Sequence, residues 1–232
     1  MKYSEFEDII SSERMRRYLA ACNNDTRKAM KLYRYNIKLS QELLAVVGCF
    51  EVALRNKIDK QFFLQYGNDW LRNFILPGGN FYSDIKVAKT KRIIENAYND
   101  LQSKNAYDHY KLLSEMEFGV WKYMFSNVQY SLTGHTLLNI FPNKPLSSHN
   151  YNYDNSYIFR ELNYINNLRN RIAHHEPICF GTGSNRNAIN TFYALNRYNR
   201  ILTLLRWMNI NDVALLYGLG NVVGICNKID CI

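Results

Sequence analysis

The polar side chains that could do chemistry are concentrated in one short segment. They are Arg169, Asn170, Arg171, His174, His175 and Glu176. A guanidinium presents a planar fork of donors that fits a phosphate, and an imidazole can take up and release a proton near neutral pH. Together these groups can bind and cleave a phosphodiester. The alternative that the residues leave open is a capped, salt-bridged helix end.

This segment lies at the end of a helix that the periodicity predicts from Ser156 to about Ala173. Its core face consists of Ile158, Leu162, Ile165, Leu168 and Ile172. Arg169 falls inside the same arc, where a charge is costly unless it is paired or binds an anion. A snorkelling side chain with a carboxylate partner is the alternative. Pro177 disfavours a helical residue before it, so we expect the helix to end at or just before the histidines.

Helical spacing also predicts side-chain neighbours within the segment. Asn166, Asn170 and His174 follow one another at intervals of four residues and form a polar ladder. Arg171 and His175 have the same spacing on another face.

The rest of the chain also has helical periodicity, with no alternation of strands and helices, so we expect an all-α, multi-helix domain. The predicted helices cover about 13–21, 26–38, 40–65, 84–103, 114–126, 128–140 and 190–208. The predicted loops are 77–82, 142–155 and 181–187, and the tail from Gly218 is predicted as loop or strand. We divide the chain into a helical N-terminal extension (1–36), a helical domain (37–217) and a C-terminal tail (218–232).

Composition and charge exclude several classes of protein. Of the 232 residues, 47% are apolar and 14% aromatic, too many for a disordered chain. The longest apolar run, 43–50, is far shorter than a membrane span, and the acidic N-terminus lacks a signal-peptide apolar region. The five cysteines form no CxxC pair. We therefore expect reduced thiols, a cytoplasmic location and no metal or other cofactor.

The basic balance favours a polyanionic partner. There are 29 Lys and Arg against 20 Asp and Glu, a net charge of +9, which suits nucleic acid or an anionic membrane surface. A basic protein with neither partner is the alternative. Basic clusters are usually solvated faces, but on one side of a molecule they would follow an RNA backbone. The clusters are Arg14, Arg16 and Arg17; Arg27, Lys28, Lys31 and Arg34; and the candidate RNA-binding set Lys86, Lys89, Lys91 and Arg92.

The segment Arg169-Asn-Arg-Ile-Ala-His174 resembles the R-x4-H signature of HEPN-domain ribonucleases, including the polar residue after the arginine. Its extended form, 168–177, is similar to the Abi-like (abortive infection) branch of bacterial phage defence. The resemblance covers roughly residues 12–207. Three other parts of the chain, which occur in the same order as in that branch, support it. They are Leu-Tyr-Arg-Tyr-Asn at 32–36, Glu-Val-Ala-Leu-Arg-Asn at 51–56, and Glu-Phe-Gly-Val-Trp at 117–121 before Phe-Pro at 141–142.

The resemblance implies a HEPN-like multi-helix bundle with extra helices, which dimerises and joins two R-x4-H motifs in one cleft. The chemistry it implies is metal-independent RNA cleavage, in which a ribose 2′-OH attacks the adjacent phosphate and leaves a 2′,3′-cyclic phosphate. His174 would act as general base or acid, Arg169 would orient the phosphate or stabilise the transition state, and Asn170 would position the histidine or the ribose. Arg169 and His174 lie about 140° apart around a helix, so one helix presents them poorly to one phosphate. A homodimer can supply both.

Several residues are supporting candidates. Glu51 and Arg55 are four residues apart on one helix, where an intrahelical ion pair is the simpler interpretation. The alternative is that Glu51 pairs with Arg169. Arg171, His175 and Glu176 complete the supporting set.

Two other functions stay open at this point. One is a non-catalytic RNA-binding HEPN protein that holds a structured non-coding RNA. The other is a structural dimerisation module in which Arg169 and His174 form only an interface network. The expected partners are RNA and a second copy of the chain, with a non-coding RNA or an antitoxin as further candidates and no membrane.

Overall fold

The computed structural model describes residues 1–149, 151–181 and 187–232. Within them the regular structure is helical, and the predicted all-α fold class is confirmed. The helices are α1 (Tyr3–Ile10), α2 (Ser12–Ala21), α3 (Thr26–Tyr66), α4 (Trp70–Ile75), α5 (Ala88–Ser103), α6 (His109–Ser114), α7 (Phe118–Tyr123), α8 (Asn127–Leu132), α9 (Asn155–Ala173), α10 (Phe192–Trp207), α11 (Asp212–Leu215) and α12 (Val222–Asp230). Short 3-10 turns cover Ile85–Val87 and Leu137–Ile140, and Phe180 forms an isolated antiparallel bridge with Ile189.

Side-chain oxygens cap several helices, because the first amides of a helix have no partner within it. Ser11 Oγ accepts a hydrogen bond from a first-turn amide of α2 at 3.4 Å. Asn24 and Asp25 both precede the predicted helix and are both favourable N-cap residues. Asp25 Oδ1 accepts from two amides of α3 at 2.9 and 3.0 Å, so the aspartate caps this helix. Asp154 Oδ1 accepts from an amide of α9 at 2.9 Å.

The long helix α3 corrects the prediction of two separate helices, 26–38 and 40–65. The single residue between them, Leu39, is neither Gly nor Pro and is fully buried. The apolar face of the helix therefore continues without a break. Five apolar residues of this face recur at intervals of four, three, four and four residues, which predicts one apolar stripe. All five are buried, which confirms it: Leu43, Val47, Phe50, Leu54 and Ile58. One continuous buried face explains a helix of 41 residues.

A serine followed three residues later by a glutamate, Ser114 and Glu117, predicts a capping box at the start of a helix, and the structure shows that this prediction is wrong. Ser114 is the last residue of α6, and its Oγ donates to the Lys111 carbonyl at 2.7 Å. A hydroxyl used in that last turn does not cap α7, which begins at Phe118. The helix predicted over 128–140 is also divided, into α8 and the turn Leu137–Ile140.

The C-terminal tail is predicted as loop or strand because it is rich in Gly and Val, but it contains helix α12. Its apolar residues recur at helical spacing and are buried: Val222, Ile225, Cys226 and Ile229. Their burial outweighs the low helix propensity of Gly and Val. Helices α4 and α11 are not predicted, and of α6 only the last residue falls in a predicted helix. Helix α1 lies within the predicted helical extension 1–36 but is not predicted as a separate helix. Most of the predicted loop 181–187 lies outside the described residues.

The chain divides into two compact units. The first consists of Met1–Cys49, Asn167–Thr203 and Asp212–Ile232, and the second of Phe50–Asn166 and Leu204–Asn211. In the first, the ring of Tyr18 packs against those of Tyr33 and Phe180, with centroids 5.3 and 5.2 Å apart. In the second, Phe62 packs against Trp70 and Phe74 at 4.7 and 5.6 Å.

The predicted boundaries after residues 36 and 217 stay predictions, and residue 36 lies within α3. The predicted core face of α9 is confirmed, since each of its five apolar residues is buried.

Candidate functional site

Helix α9 ends where Pro177 predicts, and its end has a defined backbone geometry. The Glu176 amide donates to the Arg171 carbonyl at 2.8 Å, and the His175 amide donates to the Ile172 carbonyl at 3.0 Å. His175 has a positive φ of 54°. This pattern is the Schellman motif, in which a left-handed residue directly follows the helix. It leaves the adjacent residues His174 and His175 exposed at the helix end.

Arg171 is held by contacts that stabilise the segment after α9. Its Nε donates to Glu176 Oε2 at 3.1 Å, and Nη2 donates to the Pro177 carbonyl. Its guanidinium lies 4.6 Å from the centroid of the Tyr193 ring. Arg171 therefore pairs with Glu176 rather than with His175, the neighbour that helical spacing predicts, and its contacts are those of a structural residue.

The side chains of Arg169, Asn170 and His174 are less constrained. Arg169 is half-buried, while Asn170 and His174 are exposed. Within the described residues, none of these three side chains forms a hydrogen bond or an ion pair. Their hydrogen-bonding capacity is therefore available to a ligand.

A cleft of about 510 Å³ lies beside the end of α9. One side is formed by the helix end and the other by α2 and the residue before it. The lining residues are His174, His175, Glu176 and Pro177, with Ser11, Glu13, Arg14, Arg16, Arg17 and Tyr18. Among the described residues that line this cleft, neither Arg169 nor Asn170 is present. Within one chain, the cleft thus combines His174 with the arginines of α2 and not with Arg169.

Two of the α2 arginines are oriented by their surroundings. Arg14 Nη1 donates to the His175 carbonyl at 2.9 Å, which ties α2 to the end of α9. The guanidinium of Arg17 lies 4.2 Å from the centroid of the Phe180 ring. Arg16 instead pairs with Glu13 at 2.8 Å, and the two side chains are 77% and 75% exposed. Such an exposed pair is weak, so Arg16 can exchange its partner for another anion.

A second cleft, of about 420 Å³, adjoins the same helix. It is lined by Arg16, Arg17, Ala20 and Asn187. Arg16 and Arg17 therefore border both clefts.

The segment that follows the histidines is anchored to α3. Asn36 is buried, and its Oδ1 accepts hydrogen bonds from the amides of Ile178 and Cys179 at 2.8 and 3.2 Å. Burial raises the pKa of the Cys179 thiol to about 12, so this cysteine stays protonated and unreactive. This part of the chain supports the cleft rather than supplying a nucleophile.

Glu51 and Arg55 belong to the second unit, where both are half-buried residues of α3. Arg55 Nε donates to Asn56 Oδ1 at 3.3 Å. Their supporting role in catalysis stays a prediction.

The candidate RNA-binding set also lies in the second unit. Lys86, Lys89 and Arg92 are exposed. Lys91 is engaged locally, since its Nζ donates to the Tyr82 carbonyl at 3.0 Å and lies 4.4 Å from the centroid of that tyrosine's ring. Three of the four cations therefore have exposed side chains that could meet a polyanion.

The arginines of α2 are candidate site residues that the sequence analysis did not select. The available signal was a cluster of basic residues on a predicted helix. Two other segments also concentrate basic residues on predicted helices, so this signal could not identify the cluster beside His174.

Two general features complete the description. Among residues 1–149, 151–181 and 187–232 there is no group of three or more His, Cys, Asp or Glu side chains arranged to hold a metal ion. Over the same ranges, every helix falls short of the combined length and apolarity needed to span a membrane.

Comparison with known proteins gives one match. The family model described as "Abi-like protein" matches residues 2–179. No curated protein and no solved structure matches the chain.

Proposed function

The chain belongs to the Abi-like protein family, and from that premise we propose that it is a metal-independent endoribonuclease of phage defence. The proposed site is built around the R-x4-H segment at a homodimer interface. His174 acts as general acid or base, Arg169 stabilises the charge that develops on the phosphate, and Asn170 positions the histidine or the ribose. RNA is cut when a 2′-OH loses its proton and attacks the neighbouring phosphorus. The P–O5′ bond breaks and the leaving oxygen takes up a proton, which gives a 2′,3′-cyclic phosphate on one product and a 5′-OH on the other.

One observation supports this proposal above the others. An exposed imidazole without a hydrogen-bond partner among the described residues, that of His174, lies in a cleft whose opposite side carries three arginines. Guanidinium groups bind phosphate oxygens through charge-assisted hydrogen bonds, and a nearby imidazole can transfer a proton. A cleft that holds both kinds of group can bind a phosphodiester and exchange a proton with it.

The test is cleavage of labelled tRNA and mRNA pools by the purified protein in EDTA. We expect His174→Ala to lower the rate at least about 100-fold, the smallest usual contribution of a general acid or base. His149→Ala is the matched control, because it removes another exposed histidine and should change the rate less than about threefold. Mapping the product ends checks for the cyclic phosphate.

The second candidate is a non-catalytic RNA-binding protein, which the same arginine-lined cleft would also suit. A folded protein that binds RNA but never cuts it in EDTA would favour this candidate, with a non-coding RNA as the ligand. Co-purification identifies such an RNA, or an antitoxin protein, directly. Absence of both cutting and binding would leave the structural dimerisation module.

A further inference from the structure

Helix α2 carries three arginines beside two neighbouring clefts. Arg16 and Arg17 line both the cleft at His174 and the smaller cleft at Asn187, and Arg14 lines the first. All of these residues belong to the first compact unit. The helix therefore presents guanidinium groups along a path that joins the two clefts.

Resting on the function proposed above, we propose that α2 is the phosphate-binding element that positions an RNA strand for cleavage at His174. The strand passes from the His174 cleft over α2 to the Asn187 cleft. Arg14, Arg16 and Arg17 are positioning residues that bind backbone phosphates flanking the cut. Such contacts fix the register of the strand and carry no sequence information, so at these positions the substrate class is RNA of any sequence.

The local contacts suit this role. Arg14 uses one nitrogen on the His175 carbonyl at 2.9 Å, which leaves its other donors for a phosphate. Arg17 is oriented against the Phe180 ring, and a guanidinium held in place loses less freedom when it binds. Both therefore form part of a preorganised site.

Two carboxylates in the lining of this cleft oppose an anion, those of Glu13 and Glu176. Glu176 is paired with Arg171, whereas Glu13 is the one paired with an arginine of α2. The Oε1 atom of Glu13 is 2.8 Å from Arg16 Nη2. A phosphate must displace this carboxylate to reach Arg16. Removing the arginine and neutralising the glutamate should consequently change RNA affinity in opposite directions.

The experiment measures binding of a fluorescent, uncleavable 2′-O-methyl RNA to the full chain by anisotropy between 50 and 200 mM salt. Arg16→Ala should weaken binding about tenfold at low salt and reduce the slope of log K against log salt by about 0.7, the value for one lost phosphate contact with a single strand. Glu13→Gln should tighten binding about two- to fivefold, as expected for release of an exposed ion pair.

Arg27→Ala is the matched control, because it removes another exposed arginine of the first unit that is not among the described lining residues of either cleft. Circular dichroism confirms that each variant is folded. Identical affinities and salt slopes for all three variants, in a protein that cuts RNA, would overturn the role of α2 and leave the proposed function intact. A folded wild type that neither binds nor cuts RNA would overturn both.

Discussion

Neighbouring residues of the R-x4-H segment make different contacts in the structure, although the sequence alone does not distinguish them. Arg171 is bound to Glu176 and stacked on Tyr193, so it stabilises the chain after α9. His175 takes the left-handed position of the helix end, and its carbonyl binds Arg14. His174 has an exposed side chain with no such structural contact in the described residues, which is why we assign the proton transfer to it.

A second histidine shows what a structural histidine looks like in this protein. His109 Nε2 lies 2.8 Å from Asp59 Oδ1, and the Trp70 indole donates to the same oxygen at 2.8 Å. Both members of the His109–Asp59 pair are largely buried. These contacts make His109 a structural histidine and separate it from the exposed His174.

This pair leads to a pH-dependent prediction. Burial acts to raise the pKa of Asp59, but hydrogen bonds from His109 and Trp70 outweigh it and hold the pKa below its usual range. A lowered folded-state pKa stabilises the fold above the unfolded value of about 3.9, and that stabilisation is lost as pH falls through the folded value. Asp59→Asn should therefore cost about 1–3 kcal/mol at pH 7.

Urea unfolding of wild type and Asp59→Asn from pH 7 to pH 3 measures this difference in free energy. The difference should shrink as pH falls below about 4, where the Asp59 carboxyl of the unfolded chain becomes protonated. A difference that stays constant down to pH 3 would contradict the assignment. Asp84→Asn, at a half-buried cap of a 3-10 turn, serves as the control.

Among the elements, helices with one strong apolar face are well predicted and irregular helix ends are not. The core faces of α3 and α9 agree with their periodicity because burial of that face drives helix formation. Ser114 fits a capping box by spacing, yet its hydroxyl bonds to the turn before it. A serine hydroxyl can bond either to the helix that follows it or to the turn that precedes it. The packing of neighbouring residues decides which of these bonds forms.

The segment after α9 depends on one buried side chain of α3. Asn36 Oδ1 accepts from the Ile178 and Cys179 amides, and nothing else in the described residues accepts from these two amides. Asn36→Ala should therefore destabilise the protein by about 1–3 kcal/mol and loosen the end of α9.

Hydrogen exchange measures the loosening at the 178 and 179 amides, and thermal unfolding measures the stability. Asn199→Ala, an exposed residue of α10, should have little effect on either. Unchanged protection of the two amides in Asn36→Ala would contradict this anchoring role.

At the scale of the whole molecule, the arrangement of charge matters more than its total of +9. The arginines of α2 line the cleft at His174, while Arg169 is absent from its described lining. A site that uses both Arg169 and His174 on one phosphate is therefore best completed by a second copy of the chain. The separation of about 140° between Arg169 and His174 around their helix leads to the same expectation.

Complementation tests this composite site. Arg169→Ala and His174→Ala should each be nearly inactive, whereas their co-expressed mixture should recover activity at least about tenfold above either alone, because a mixed dimer retains one intact Arg–His combination. RNA cleavage in EDTA is the assay, and light scattering verifies the dimer. The control is a protein in which every chain carries both substitutions. It contains no intact Arg–His combination and should stay inactive. Dimers that show no recovery would place Arg169 and His174 on the same phosphate within one chain.

The sequence by itself determined the all-α class, the core faces of α3 and α9, the end of α9 before Pro177 and the segment that carries the candidate chemistry. These features depend on local periodicity and backbone preference, which a sequence states directly. Only the tertiary structure decided that α2 lies beside His174, that Arg171 binds Glu176, and that the Gly- and Val-rich tail contains a helix. The first and the third depend on contacts between residues far apart in the chain or on burial supplied by other elements. The second depends on the backbone turn at the end of α9, which brings Glu176 beside Arg171. Three basic clusters look alike in sequence, and packing alone selects the one that shares a cleft with the histidine.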